Sequence, residues 1–371
     1  MATNAKRTYR RRRRRRSRTL LFSIAVLLLL GVALLIYQAV FSKRASVVTM
    51  NQTPVSTMST YINTGDGLLY QTDGKIHFYH LSDSKKNYTY GMGASDIRMS
   101  GSGSMTVVFN ESSLQVVGNN QPITFPGSIR EVECGTNYLA VLRTTEDNRE
   151  NVSIITVDGT VVEQRFFEDQ YIVDFGFYRT SDEMLWVETL NVNAGTPTTT
   201  ITVYDLSKRT ITGVMHIQNQ LVDEIYFSAN SLFVVGTNQI IRYTHSGNKE
   251  VYRYTIYGYE VMDFSSAGSL PTFLLVPRGG DFHSVKILTL EEGALPNSVD
   301  TYLQLPTEGL AAFIMGDRLT VTSRERLFTY TLKGRLSSEA SFEQPVDAAA
   351  KISDNRLLLS SNNIYYLSSV G

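Results

Sequence analysis

Seven carboxylates recur at matching places along this 371-residue chain: Asp96 in SDI, Glu131 in REV, Asp174 in VDF, Asp223 in VDE, Asp263 in MDF, Glu308 in TEG and Asp347 in VDA. Each stands at or near the start of a short strand-like run. If their side chains converge on a common axis, they form a negative rim suited to Ca²⁺, another hard cation or a cationic group of a partner. The local alternative is that each carboxylate accepts backbone N–H bonds in the turn before its strand, a common task for Asp. Both readings stand at this level. Ca²⁺ at the rim is the sole cofactor candidate, and no motif calls for any other.

Three longer polar segments are the next candidates: TTEDNREN (144–151), NVNAGTPTTT (191–200) and PRGGDFHS (277–284). Loops on a rigid scaffold carry binding residues, which nominates Asp147, Arg149, Arg278, Asp281 and His283. The five histidines do not form a metal motif. His77 and His80 lie three apart in a strand-like run, so alternation points them to opposite faces. The sequence contains no GxSxG elbow, HExxH pair, phosphate-binding loop or paired-cysteine motif. No catalytic residue and no metal ligand set is therefore assigned. Cys134 stands alone, which excludes an intrachain disulfide.

The elements that would position these groups are short runs of Val, Ile, Tyr, Phe and Thr broken by Gly, Asn, Asp and Ser, the pattern of strands and hairpins. One unit recurs as strand, polar turn, strand: KIHFYHLSDSKKNYTY, VSIITVDGTVVEQRF, ITVYDLSKRTITGVM, IIRYTHSGNKEVYRY and RLFTYTLKGRLSSEASF are five of its copies. The first apolar residues of eight copies are Ile76, Leu114, Ile154, Ile201, Ile240, Val285, Leu327 and Ile364, at intervals of 38, 40, 47, 39, 45, 42 and 37 residues. Two further strands precede each copy, as in VDFGFY then MLWVETL. Four short strands per unit of about 40 residues is the signature of a propeller blade. The expected fold is all-β, a β-propeller of eight blades, or seven if one weak copy is an insertion. The last copy, NIYYLSSVG, stops before its fourth strand, and an open edge is a liability. The segment ASVVTMN (45–51) is expected to supply the missing strand and close the ring. The seven carboxylates then fall at one mouth of the central channel, and the three long loops open on the same face.

The VDGTVV, SGNKEV and LKGRL hairpins resemble those of WD40-like and quinoprotein-like propellers. The whole arrangement is similar to a family of uncharacterised, single-span, membrane-anchored propeller-like proteins of clostridial bacteria. The Trp-Asp repeat ends of WD40 proteins are absent, with Trp186 the sole tryptophan. The resemblance implies a fold and a location and no activity.

The location rests on the N-terminus. Residues 19–41 carry no charge, and 15 of these 23 are Leu, Ile, Val or Phe. As a helix they extend roughly 34 Å, enough for a hydrocarbon core of about 30 Å. The run exceeds an ordinary secretory core of about 7–15 residues, so it reads as an uncleaved signal anchor. Residues 1–18 hold ten Lys or Arg and no acid, among them Arg11, Arg12, Arg13, Arg14, Arg15, Arg16 and Arg18. This asymmetry keeps the N-terminus in the cytoplasm and places the remainder outside, with the arginines attracted to anionic lipid. The chain is expected to divide into a basic cytoplasmic segment (1–18), an anchor helix (19–41), a linker (42–44) and an extracytoplasmic propeller (45–371). The formal charge of zero averages two opposites: without those ten cations, 25 basic residues face 35 acidic ones, giving −10 for 19–371. An acidic body argues against nucleic acid as partner.

The functional expectation is a single-pass cell-membrane protein whose propeller binds an envelope protein or polymer as a scaffold, without catalysis. The alternative is a propeller enzyme acting on envelope glycan or a small molecule through carboxylates at the mouth. That alternative requires two or three ionisable groups to converge.

Overall fold

The second strand of each repeat is a nearly unbroken apolar or β-branched run, such as Ser231–Gly236 (SLFVVG) and Thr272–Pro277 (TFLLVP), and it is buried on both faces. A strand with this pattern must lie inside a sheet and between two other sheets. Fourth strands such as Val161–Phe166 and Ser298–Gln304 are mostly exposed, as outer edges. In the computed structural model these elements build eight sheets, each on four neighbouring antiparallel strands in the order of the sequence, with blade 8 as the exception described below. The structure describes residue 31, which is helical, and residues 46–370 except 92–96, 120, 168, 179–182, 193–194, 281 and 292–297. Among the described residues no helix is long and apolar enough to cross a membrane. The expected anchor, apart from residue 31, lies outside them, as do its basic segment, the linker, Asp96 and Asp281.

Blades 1 to 8 begin with the innermost strands Tyr61–Asn63, Arg98–Gly101, Ser128–Cys134, Tyr171–Phe177, Val222–Phe227, Tyr259–Ser265, Gly309–Met315 and Ala348–Ser353. All eight residues that mark the sequence repeat fall in third strands, from Ile76 in Lys75–His80 to Ile364 in Ile364–Ser369. The core is not one cluster but eight, one at each seam between adjacent blades. Leu142, Val187 and Tyr204 fill the 3/4 seam; Trp186, Ile201 and Leu232 the 4/5 seam; Val55, Leu68 and Leu358 the 8/1 seam. An open array of eight blades has seven seams, so the eighth is the signature of a closed ring.

Closure uses an N-terminal strand, one step further along than the sequence suggests. Asn51–Ser56 pairs antiparallel with Ile364–Ser369, placing Asn51 opposite Leu367 and Gln52 opposite Tyr366. Val48 and Met50, expected within the closing strand, instead pack in the 7/8 seam. The alternation of Thr53 and Val55 faces inward, and the Thr53 hydroxyl donates to the Tyr365 carbonyl at 2.8 Å. Pro54 has no N–H to offer a further strand, which suits an outer edge. Val55 is 1 % exposed in the 8/1 seam. Val55→Asp is expected to lower stability by about 3 kcal/mol or more, through lost burial and an unpaired buried charge. A thermal melt unchanged by this substitution would contradict closure by this strand.

The hairpin glycines are required by conformation and by space. Gly159 and Gly247, in VDGT and HSGN, have φ of 88° and 72°. A Cβ on Gly159 would lie 2.8 Å from a side-chain carbon of Ile123 in blade 2, because the turn of blade 3 tucks against its neighbour.

Candidate functional site

The innermost strands of blades 3 to 7 share a device the sequence does not announce. Each skips one residue near its start in its pairing with the second strand: Arg130, Val173, Asp223, Met262 and Leu310 have no partner. Such bulges re-aim side chains at rims, and Arg130, Val173, Asp223 and Leu310 are exposed. The residue after each bulge is Glu131, Asp174, Glu224, Asp263 or Ala311. Four adjacent blades therefore carry a carboxylate at one structural position. In blade 5 that position belongs to Glu224, while Asp223, chosen from the sequence, is the bulged residue beside it.

The candidates at the mouth have different surroundings. Asp174 accepts the amide of Phe175 at 2.7 Å, a local bond of the kind the structural reading expects. Asp263 accepts the Ile314 amide of the next blade at 2.7 Å and faces the Lys351 ammonium at 3.3 Å. Lys351 comes from blade 8 and also donates to the carbonyls of Ile314 and Phe264, at 2.7 and 3.0 Å, and meets Asp354 at 3.2 Å. This network ties blades 6, 7 and 8 together. Burial raises the Asp263 carboxyl even so, with Lys351 and the amides pulling the other way. Asp223 meets Arg278 of the blade 6 loop at 3.4 Å, which joins one rim candidate to one loop candidate. Asp347 lies 3.9 Å from Arg324. Glu308 precedes the innermost strand of blade 7 and is exposed.

Blades 3 to 5 hold an arc of carboxylates that mostly lack cations. Burial, then the charge of Asp174, raises Glu131 above the usual range, against the lowering fields of Arg130 and Arg98. Burial with Glu131 and Asp174 nearby raises Glu133 to about 7. Glu188 lies in the second strand of blade 4, directly opposite Asp174. It is 5 % exposed and raised to about 7 by burial, followed by the fields of Asp174, Asp223 and Glu224. Burial also raises Asp174 and Glu224. Among the described residues, no three His, Cys, Asp or Glu side chains are grouped so as to hold one metal ion.

Residues that sequence reasoning missed are Glu133, Glu188, Glu224 and Lys351. Glu188 had a signal: it is the sole charge in MLWVETL, a strand otherwise patterned for burial.

The loop candidates Asp147 and Arg149 pair with each other at 2.6 Å, and Arg149 lies over the Phe166 ring at 4.9 Å. Arg149 borders a cavity of about 820 Å³ between blades 3 and 4, lined in part by Arg130, Glu150 and Tyr171. His283 rests against Phe282, with ring centroids 4.8 Å apart. His77 and His80 do take opposite faces of their strand. His77 stacks on Tyr70 at 5.2 Å, while the buried Nδ1 of His80 accepts from the Ser82 and Asp83 amides.

Exposed apolar side chains gather on the same face. Tyr171, Val173, Val192, Leu221, Tyr257 and Leu310 all lie at the starts of innermost strands or in loops at that end, with Tyr257 79 % and Tyr171 63 % exposed.

Several solved structures share this architecture. The WD40 domain of SCAP from fission yeast is similar with a TM-score of 0.57 at 10 % identity, over 87 % of this chain and 94 % of that one. The computationally designed Ika8 protein aligns with a TM-score of 0.54 at 10 % identity, over 86 % and 100 %. The C-terminal WD40 domain of Sif2 gives 0.53 at 13 % identity, over 88 % and 99 %. At such identities the likeness is one of fold. No curated protein matches the sequence. Residues 39–364 match the Family of unknown function (DUF5711), and the chain belongs to that family.

Proposed function

We propose that this DUF5711 propeller is a membrane-tethered, extracytoplasmic binding module whose partner, an envelope protein or polymer, docks on the mouth face. One observation carries the reading: exposed apolar side chains and an arc of carboxylates with few cations among the described residues share that face, while the fold is a propeller with its ring closed. Large exposed apolar groups rimmed by charge mark interaction surfaces. The tether rests on the uncharged run 19–41 and the arginines before it, which are drawn to anionic lipid on the cytoplasmic side. The acidity of the body favours a partner with a basic or apolar contact surface.

The test uses the full chain in detergent-solubilised membranes. Val173→Asp and Leu221→Asp together should abolish capture of the partner, because both side chains are exposed and the fold tolerates the change. Capture unaffected by this pair, or none above a control bearing residues 1–44 alone, would contradict the reading. Protease added to intact cells should remove the propeller and spare the basic segment; full protection would contradict the orientation.

A further inference from the structure

We infer that the seam between blades 4 and 5 is a socket for one cationic side chain, an arginine or lysine of the docking partner, with the Glu188 carboxylate at its floor. This deepens the mouth-docking reading and rests on it.

The argument starts from position. Glu188 follows Met184 and Trp186 at two-residue intervals, so it shares their face, which fills the 4/5 seam. At the equivalent positions of blades 3, 5 and 6, set by pairing with the residue after the bulge, stand Leu142, Val235 and Leu274. Each of those is buried in its own seam cluster. Blade 4 thus places a carboxylate where its neighbours place core. Glu188 is 5 % exposed, and the groups that act on its carboxyl are other carboxylates, with no hydrogen-bond donor or cation among them. Its charged neighbours are Asp174 across the strand pair and Asp223 and Glu224 from blade 5, all of its own sign. A buried carboxylate facing three more is unfavourable in the free protein. A cation brought from outside satisfies it.

The shape of the surroundings chooses the cation. Among the described residues no three carboxylates are grouped to ligate one metal ion. Tyr171 and Val173 of the same blade are exposed and apolar at the rim, and Val222 packs in the 4/5 seam. An apolar rim over an acidic floor matches a long aliphatic stem with a charged head, which is how arginine and lysine bury themselves. Asp223 is already engaged by Arg278 from the blade 6 loop, so a guanidinium at the edge of this group has a precedent within the chain.

The experiment measures binding of tetra-arginine amide to the full chain in detergent by calorimetry at pH 8, for wild type, Glu188→Gln and Asp73→Asn. Asp73 sits in a turn of blade 1 and controls for total charge. Wild type and Asp73→Asn should bind alike, with Glu188→Gln weaker by about tenfold or more, the scale for losing one partner of a buried charge pair. Equal binding by Glu188→Gln, or no binding by wild type, overturns the socket. A calcium-induced rise in melting temperature that Glu188→Gln abolishes overturns it in favour of a metal. Loss of the socket with partner capture still dependent on Val173 and Leu221 removes this inference alone; loss of both removes the docking reading as well.

Discussion

Glu188→Gln should stabilise the propeller at pH 8 by about 3 kcal/mol and at pH 5 by less than about 1 kcal/mol. Most carboxylate substitutions in a folded protein are neutral or harmful, so the sign is informative. The Glu188 carboxyl is raised to about 7 in the fold, chiefly by burial and then by Asp174, Asp223 and Glu224. A carboxyl in the unfolded chain titrates near 4.5. Between these values the folded state binds more protons than the unfolded state, so stability falls as pH rises. Glutamine imitates the protonated form and removes that penalty. The slope persists in part in the variant, because Glu133 is also raised to about 7 and Glu131, Asp174, Glu224 and Asp263 are raised as well. The opposing carboxylates act elsewhere: Asp205, lowered to about 2 by Lys208 and Ser207, gives stability that is lost only as pH falls below the ordinary aspartate range. Melts at pH 5 and pH 8 decide the matter. A variant less stable than wild type at both values would mean that the glutamate accepts a bond the fold depends on.

Lys351→Met should be the most damaging single change in the channel wall. The ammonium serves Asp263, Asp354 and the carbonyls of Ile314 and Phe264, and its side chain and that of Asp263 are each 16 % exposed. Methionine keeps the stem and removes the charge, which strands the Asp263 carboxylate and the carbonyls of Ile314 and Phe264, while Asp354 keeps the Ser265 hydroxyl at 2.6 Å. Breaking a buried pair in this way costs about 3–5 kcal/mol. Adding Asp263→Asn should return part of the loss, because asparagine still accepts the Ile314 amide without a charge to bury. Denaturant melts of both single variants and the double variant give the coupling directly. Additive losses would show that the pair does not act as a unit.

These two residues show where sequence reasoning ends. The blade period was legible because Ile76, Leu114, Ile154 and their successors mark third strands, and a third strand buried between blades needs an apolar residue at a fixed place. The third-to-fourth hairpins were legible because their glycines supply positive φ. The contents of a seam were not. Glu188 lies in the field of Asp223 and Glu224, and Lys351 meets Asp263, across gaps of 35 to 88 residues that no local pattern encodes. Bulges add a second obstacle. One skipped residue moves the carboxylate of blade 5 from Asp223 to Glu224, and a repeat aligned by residue type alone cannot register the skip. The closing strand was misplaced for a related reason: 45–51 and 51–56 are both strand-like, and only the seams decide that Val48 and Met50 belong to 7/8 and Val55 to 8/1.

The docking face is tested most directly by a photo-crosslinking residue, benzoylphenylalanine, placed at Val173 on the rim or at Val299 on the outermost strand of blade 6, in membranes of cells producing the full chain. Both positions are about half exposed, at 52 % and 51 %. Docking on the mouth predicts a discrete higher-mass adduct from position 173 after illumination and none from position 299. Equal adducts from both positions, or an adduct from 299 alone, would contradict it.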